Sequence, residues 1–177
     1  MSGAPAADAG RPVKFPERVV RSSPAPIREY LLLMRLHAPT GIVLYLLPGL
    51  WSMVLAAEGM PDPSAIVCLA LAAVLVRGAS IAVNDVVDKD IDARVARTKS
   101  RPVVAGTIGS GQALAFGAVL AVASLLVLSL VNVETALVVA VSYPLLVAYP
   151  YMKRVFFWPS AWLAPSIAST RRPAGRR

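Results

Sequence analysis

The chain has 177 residues, 56% of them hydrophobic and 16% charged, and a formal net charge of +8. Ordinary soluble domains carry about 25% charged residues. Here the apolar residues come in long blocks, which excludes a simple soluble globule and points to a membrane protein. The single cysteine, Cys68, excludes a disulfide framework and a cysteine-rich zinc site, and the single histidine, His37, excludes a multi-histidine metal centre.

In chain order, residues 1–29 are polar and proline-rich and read as a disordered cytoplasmic arm. No apolar run begins there, which argues against a cleaved secretory signal; Asp8, Glu17 and Glu29 argue against a mitochondrial transit peptide. An interfacial helix is expected near Arg28–Leu36. The first span is Gly41–Ala57, seventeen uncharged residues near the lower limit for a crossing, with Pro48-Gly49 predicting a kink or a break. The second runs from Ala65 to about Val87, interrupted by Arg77-Gly78, and the polar stretch 84–107 follows it. The third, Ala113–Val131, is the cleanest, and the fourth is Thr135–Tyr151. Val155–Ala168 is fourteen residues long with Pro159 and Pro165, short for a crossing, and residues 169–177 form a basic, low-complexity tail. The expected fold is all-α: a polytopic transmembrane helix bundle of four complete spans plus a partial fifth, over residues 30–168.

The basic residues alternate by loop. Six lie in the leader through Arg35, five in the loop after the second span (Lys89, Arg94, Arg97, Lys99, Arg101), and Lys153-Arg154 end the fourth span. The turns at 58–64 and 132–134 hold none. This is the positive-inside pattern, which predicts a cytoplasmic N-terminus in an integral membrane protein. The +8 charge is then topology plus attraction to anionic lipid of the bilayer, and nucleic acid is not needed as a partner.

Four of the six aspartates lie between 85 and 92. On one helix Asp85, Asp88 and Asp92 share a face at i, i+3 and i+7, while Asp90 falls on another side. Three carboxylates on one face repel one another, and a divalent cation resolves that repulsion. Oxygen ligands without histidine or cysteine favour Mg²⁺, which takes a few carboxylates plus substrate phosphates and water. Arg97 and Arg101 follow at helical spacing, with Arg94 and Lys99 close by. Guanidinium beside carboxylate-bound metal suits a diphosphate. Tyr149 and Lys153, four apart on the same membrane side, can face that pocket, leaving the apolar interior for a lipid tail.

A loop of mixed charge is often only solvated, but these carboxylates begin at the end of an apolar helix, where ionisable groups are costly and usually functional. Arg77 reads as a residue snorkelling to the interface, with a second pocket cation as the alternative. His37 reads as interfacial and Cys68 as core. Trp51, Tyr143, Tyr151, Trp158 and Trp162 suit an aromatic belt.

The run Asn84-Asp-Val-Val-Asp-Lys-Asp-Ile-Asp92, followed by Arg97-Thr-Lys-Ser-Arg-Pro102, resembles the first Asp-rich motif of the UbiA superfamily of intramembrane prenyltransferases. Tyr149-Pro-Tyr-Met-Lys-Arg154 resembles the motif of its 4-hydroxybenzoate polyprenyltransferases, and Met34-Arg35…Pro39-Thr40-Gly41 with the following Leu-Leu-Pro-Gly-Leu-Trp resembles their first-helix signature. The three matches come in family order over about residues 30–165. The resemblance implies Mg²⁺-dependent transfer of a prenyl group from polyprenyl diphosphate to C3 of 4-hydroxybenzoate in ubiquinone biosynthesis. It further implies a bacterial inner membrane, or alternatively a mitochondrial one. It implies metal ligands Asp85, Asp88 and Asp92, with Asp85, Asp88 and Arg154 taking part in catalysis. Arg35, Asn84, Arg97, Arg101, Tyr149 and Lys153 are the substrate-binding residues it implies. The rivals are another prenyltransferase of the superfamily, such as the haem farnesyltransferase, and a membrane fragment without turnover. The family's second Asp-rich motif has no counterpart, because no aspartate follows Asp92. The chain is therefore expected to hold the N-terminal half of a UbiA-type fold, with its activity in doubt.

Overall fold

The computed structural model describes residues 15–38, 40–57 and 60–155, and all of their regular structure is helical. The elements are α1 (Phe15–Ser22), α2 (Ala25–Leu33), α3 (Thr40–Ala56), α4 (Pro63–Val87), α5 (Lys89–Asp92), α6 (Pro102–Ala105), α7 (Ser110–Ser129) and α8 (Val133–Val155). The expected partial fifth span and basic tail lie outside the described residues, as do residues 1–14.

The arm expected to be disordered through residue 29 is instead helical from Phe15. In α1 an i, i+4 ion pair joins Arg21 to Glu17 at 2.5 Å, and Val20 is buried where α1 packs on α2. Helix α2 opens after Pro24, whose carbonyl accepts the Arg28 N–H at 2.8 Å.

Among the described residues, three helices are long and apolar enough to cross a membrane: Pro63–Val87, Ser110–Ser129 and the Val133–Met152 part of α8. At 17 residues α3 is shorter, reaching about 25 Å at 1.5 Å per residue against a hydrocarbon core of roughly 30 Å. The first span expected from the sequence, Gly41–Ala57, is thus this short apolar helix, near the lower limit for a crossing as its length implied. It runs unbroken through Pro48, and Ser52 Oγ donates to the Pro48 carbonyl at 3.0 Å. Helix α4 likewise passes through Arg77-Gly78 without interruption. Its start is set by Asp62, whose carboxylate accepts the Ser64 N–H at 3.1 Å, with Pro63 at the first helical position.

Helix α4 is the centre of the bundle and touches α3, α7 and α8; its most extensive partner is α7. Small residues permit this. Ala79 and Ala82 of α4 are buried against Ala113 and Gly117 of α7, and a Cβ on Gly117 would stand 3.1 Å from that of Ala82. At one end, Leu33, Ala82, Val103, Ile108 and Ala113 form a cluster, flanked by Tyr30 and Phe116 with ring centroids 4.7 Å apart. That cluster ties α2 and α6 to the end of α4 that carries the aspartates. The outward faces keep Leu44, Trp51 and Leu55 of α3 and Val119 and Leu126 of α7 exposed, as a lipid-facing surface requires.

Tyr143 does not belong to an aromatic belt. It is half-buried, and its hydroxyl pairs with Ser124 Oγ at 2.6 Å between α8 and α7. Tyr143→Phe is expected to cost about 0.6–1.5 kcal/mol, the usual range for an interhelical hydrogen bond in a membrane. Thermal unfolding in nanodiscs measures it. Cys68, expected in the core, is half-buried.

Candidate functional site

The aspartate cluster sits where α4 ends. Its helix is divided at Asp88, which has φ −88° and ψ 2° and serves as C-cap of α4 and N-cap of α5. Hydrogen bonding still crosses the joint: Asp88 N–H donates to Asn84 O at 2.9 Å, and Asp92 N–H to Asp88 O at 2.8 Å. The shared face expected from a continuous helix therefore survives. Asp85, Asp88 and Asp92 are all buried, at 1%, 6% and 9% exposed, while Asp90 faces outward.

Beyond Asp92 the helical spacing ends. Residues 93–101 form successive turns, with Arg94 bonding back to Ile91, Thr98 to Val95 and Arg101 to Thr98. Thr98 is buried, and its hydroxyl donates to the Asp92 carbonyl at 2.7 Å, drawing the loop back over the aspartates. Arg101 then caps α6 in an extended conformation and reaches both carboxylates. Its Nη1 lies 3.3 Å from Asp85 Oδ1 and also pairs with Asp92 Oδ2. Arg97, expected on the same face as Arg101, is exposed and forms no ion pair with the described residues, because the turns rotate it away.

A second cation arrives from fifty residues upstream: Arg35 Nη2 donates to Asp85 Oδ1 at 2.6 Å. Asp85 is thus held by two guanidiniums through one oxygen. Its other oxygen, Oδ2, accepts no hydrogen bond from the described residues although the side chain is 1% exposed. Asn84 lies on the same stretch, half-buried, and Tyr149 is half-buried on α8. The side chains of Lys153 and Arg154 lie outside the described residues.

A hard divalent cation fits this donor set. Among the described residues no three carboxylates converge as a ready-made cage. Mg²⁺, however, is commonly held by one or two carboxylates with phosphate oxygens and water completing its shell. Asp85 and Asp92, drawn together by one guanidinium, with an Asp85 oxygen that accepts no hydrogen bond from the described residues, match that requirement.

His37 lies in the turn after α2, outside the long apolar helices. Partial burial, then Arg35 and Arg77, push its imidazole below its ordinary value, and Glu17 opposes them. A depressed folded-state value penalises the folded form only when the ring must take a proton. Stability should therefore be flat above about pH 6.5 and fall below it, and His37→Gln should flatten that fall. Melting curves between mildly alkaline and mildly acidic pH test this.

Sequence reasoning gave Thr98 no role. A threonine between the aspartates and Arg101 was the available signal, but its bond to Asp92 depends on turns that spacing does not reveal. Arg77 neither snorkels nor enters this cluster. It is 7% exposed and donates to the carbonyls of Met34, Arg35 and Ala38, because α4 runs beside the end of α2.

Known proteins match this chain closely. The chain is 42% identical over 134 residues to a 4-hydroxybenzoate octaprenyltransferase of Nitrosomonas eutropha, covering 76% of this chain and 47% of that protein. It is 44% identical over 144 residues to a mitochondrial 4-hydroxybenzoate polyprenyltransferase of Rattus norvegicus, covering 80% of this chain and 38% of that one. The chain thus spans about half or less of the length of these relatives. No solved structure matches it. The UbiA prenyltransferase family model covers residues 45–170, a stretch that runs from α3 through the aspartates to beyond α8. With that coverage and those identities, the chain belongs to the UbiA prenyltransferase family.

Proposed function

We propose that this chain carries the diphosphate-binding half of a Mg²⁺-dependent 4-hydroxybenzoate polyprenyltransferase of ubiquinone biosynthesis. The observation that carries the reading is the buried pair Asp85 and Asp92, met by the half-buried Arg35 and Arg101, at one end of an apolar bundle. Relatives named for prenyl transfer to 4-hydroxybenzoate support the substrate pair. The alternation of basic loops supports a cytoplasmic N-terminus and a site on that side of an inner membrane, bacterial or mitochondrial.

Asp85 and Asp92 are the residues that would hold Mg²⁺, with Asp88 on the same buried face as the third ligand the resemblance implies and Asn84 beside them. When bound, the ion supplies positive charge against the developing diphosphate. Arg35 and Arg101 bind diphosphate oxygens in this reading, and the family resemblance adds Tyr149 and Lys153 as further diphosphate ligands, while the exposed Arg97 stays outside the cluster. The C1–O bond of the prenyl diphosphate breaks and its electron pair leaves with the diphosphate, whose charge the guanidiniums stabilise. The allylic carbon is attacked by C3 of the phenol, ortho to its hydroxyl, and the C3 proton is then lost to a base. Arg154 is kept, from the family resemblance alone, as the candidate partner of the acceptor carboxylate or the leaving group. The apolar bundle keeps water from the cation.

Membranes containing the chain, given Mg²⁺, a polyprenyl diphosphate and 4-hydroxybenzoate, should form prenylated product, and chelation should abolish it. Absence of product under these conditions would refute the activity for this chain.

A further inference from the structure

Arg77 is a cation set in the apolar run of α4, and none of the ion pairs among the described residues includes it. Its charge is met by carbonyl dipoles instead. Nη1 donates to Met34 O and Arg35 O, each at 3.2 Å, and Nη2 to Ala38 O at 3.1 Å. These oxygens belong to the segment that leaves α2, where the negative end of the helix dipole favours cations; Arg35 O also accepts the Ala38 N–H at 3.0 Å. A planar fork of donors suits several divergent carbonyls better than an ammonium does.

The segment has a defined shape. Leu36 N–H donates to Leu31 O at 3.2 Å and Arg35 N–H to Leu32 O at 2.9 Å, the bond pair of a Schellman cap. The cap requires a left-handed residue, normally glycine. Arg35 fills that place, with φ +53°, the only non-glycine residue at positive φ among those described. Strain of this kind persists only where the surroundings hold it. The same Arg35 sends its guanidinium to Asp85.

Two glycines make the lock possible. A Cβ on Gly78 would stand 2.8 Å from Leu120 Cδ1 and 3.1 Å from Met34 Cε, so its absence lets the end of α2 lie on α4. A Cβ on Gly41 would stand 2.7 Å from Arg77 Nη2, so only glycine there leaves room for the guanidinium. We propose that Arg77 is a positioning residue, which holds the left-handed turn at Arg35 and thereby aims Arg35 at Asp85. This rests on the reading of the Asp85 cluster as the site, and its test does not depend on turnover.

The test uses the full chain in lipid nanodiscs, with Arg77→Met, Arg77→Lys and Gly41→Ala, each alone and combined with Arg35→Gln. Amide exchange over residues 31–41 reports the turn. Arg77→Met should speed exchange at Arg35, Leu36 and Ala38 roughly tenfold, and Arg77→Lys should restore part of the protection. Gly41→Ala should reproduce the loss while leaving the charge intact. Arg35→Gln should lower Tm by about 3 °C in the unmodified chain and have no further effect with Arg77→Met or Gly41→Ala. An equal cost of Arg35→Gln in both backgrounds, no cost in the unmodified chain, or unchanged exchange would each overturn the proposal. If Arg77→Met does not fold, Gly41→Ala and Arg77→Lys carry the same comparison. None of these readouts involves substrate, so failure of the prenyl-transfer assay would leave them in force.

Discussion

Arg101→Gln is expected to destabilise the chain by about 3 kcal/mol, the lower end for breaking a buried ion pair. For a domain of this size that lowers Tm by about 9 °C. Arg101 is the one described cation that touches both Asp85 and Asp92, and it does so while 19% exposed. Without it, two buried carboxylates face each other, with Arg35 left to neutralise Asp85 alone. The size of the effect comes from the carboxylates left behind rather than from the attraction lost. Addition of Mg²⁺ should restore a substantial part of the lost Tm in Arg101→Gln. It should restore little in Arg101→Gln combined with Asp85→Asn, where the repulsion no longer exists. Thermal unfolding in nanodiscs with and without Mg²⁺ measures both. A deficit in Arg101→Gln that Mg²⁺ leaves untouched would remove the cluster as a cation site.

Asp85→Asn should reduce the proposed prenyl transfer by about 10²–10³-fold, the range for removal of one preorganised electrostatic group. The change preserves shape and removes one charge at the point where two guanidiniums converge. Asparagine cannot balance both arginines, and it is a weaker ligand for a hard cation. The loss should fall on turnover more than on substrate affinity, since the charge being balanced develops as the C–O bond breaks. Asp90→Asn is the control. Asp90 is exposed on the opposite side, so the rate should be unchanged. Equal effects of the two substitutions on product formation would show that a general charge effect, and not the buried cluster, governs the reaction.

The apolar blocks located the helices closely. Gly41–Ala57 became Thr40–Ala56, and the span expected from Ala65 begins at Pro63 and ends at Val87. A chain in lipid has no water to satisfy its backbone, so helix is decided locally and the composition of each block suffices. The three buried aspartates were legible for a related reason, because helical spacing alone puts them on one face and Asp90 on another.

The same logic fails once the backbone stops being regular. Arg97 and Arg101, four apart, would share a helix face, yet turns separate them, and Thr98 decides which one returns to the carboxylates. Arg77 was read from its position in an apolar helix. Its actual partners are carbonyls about forty residues away, at the end of a helix that the local pattern cannot place.

By itself, then, the sequence determined the membrane helices, the face that the carboxylates share and the family. Each of these depends on local periodicity, composition or motif. Only the tertiary structure decided that Arg35 and Arg101 meet on Asp85 and that Arg77 holds the turn behind Arg35. Those contacts join segments 16 to 50 residues apart. They exist because small residues let α7 close on α4 and glycines let the end of α2 settle there, a matter of packing that no spacing along the chain encodes.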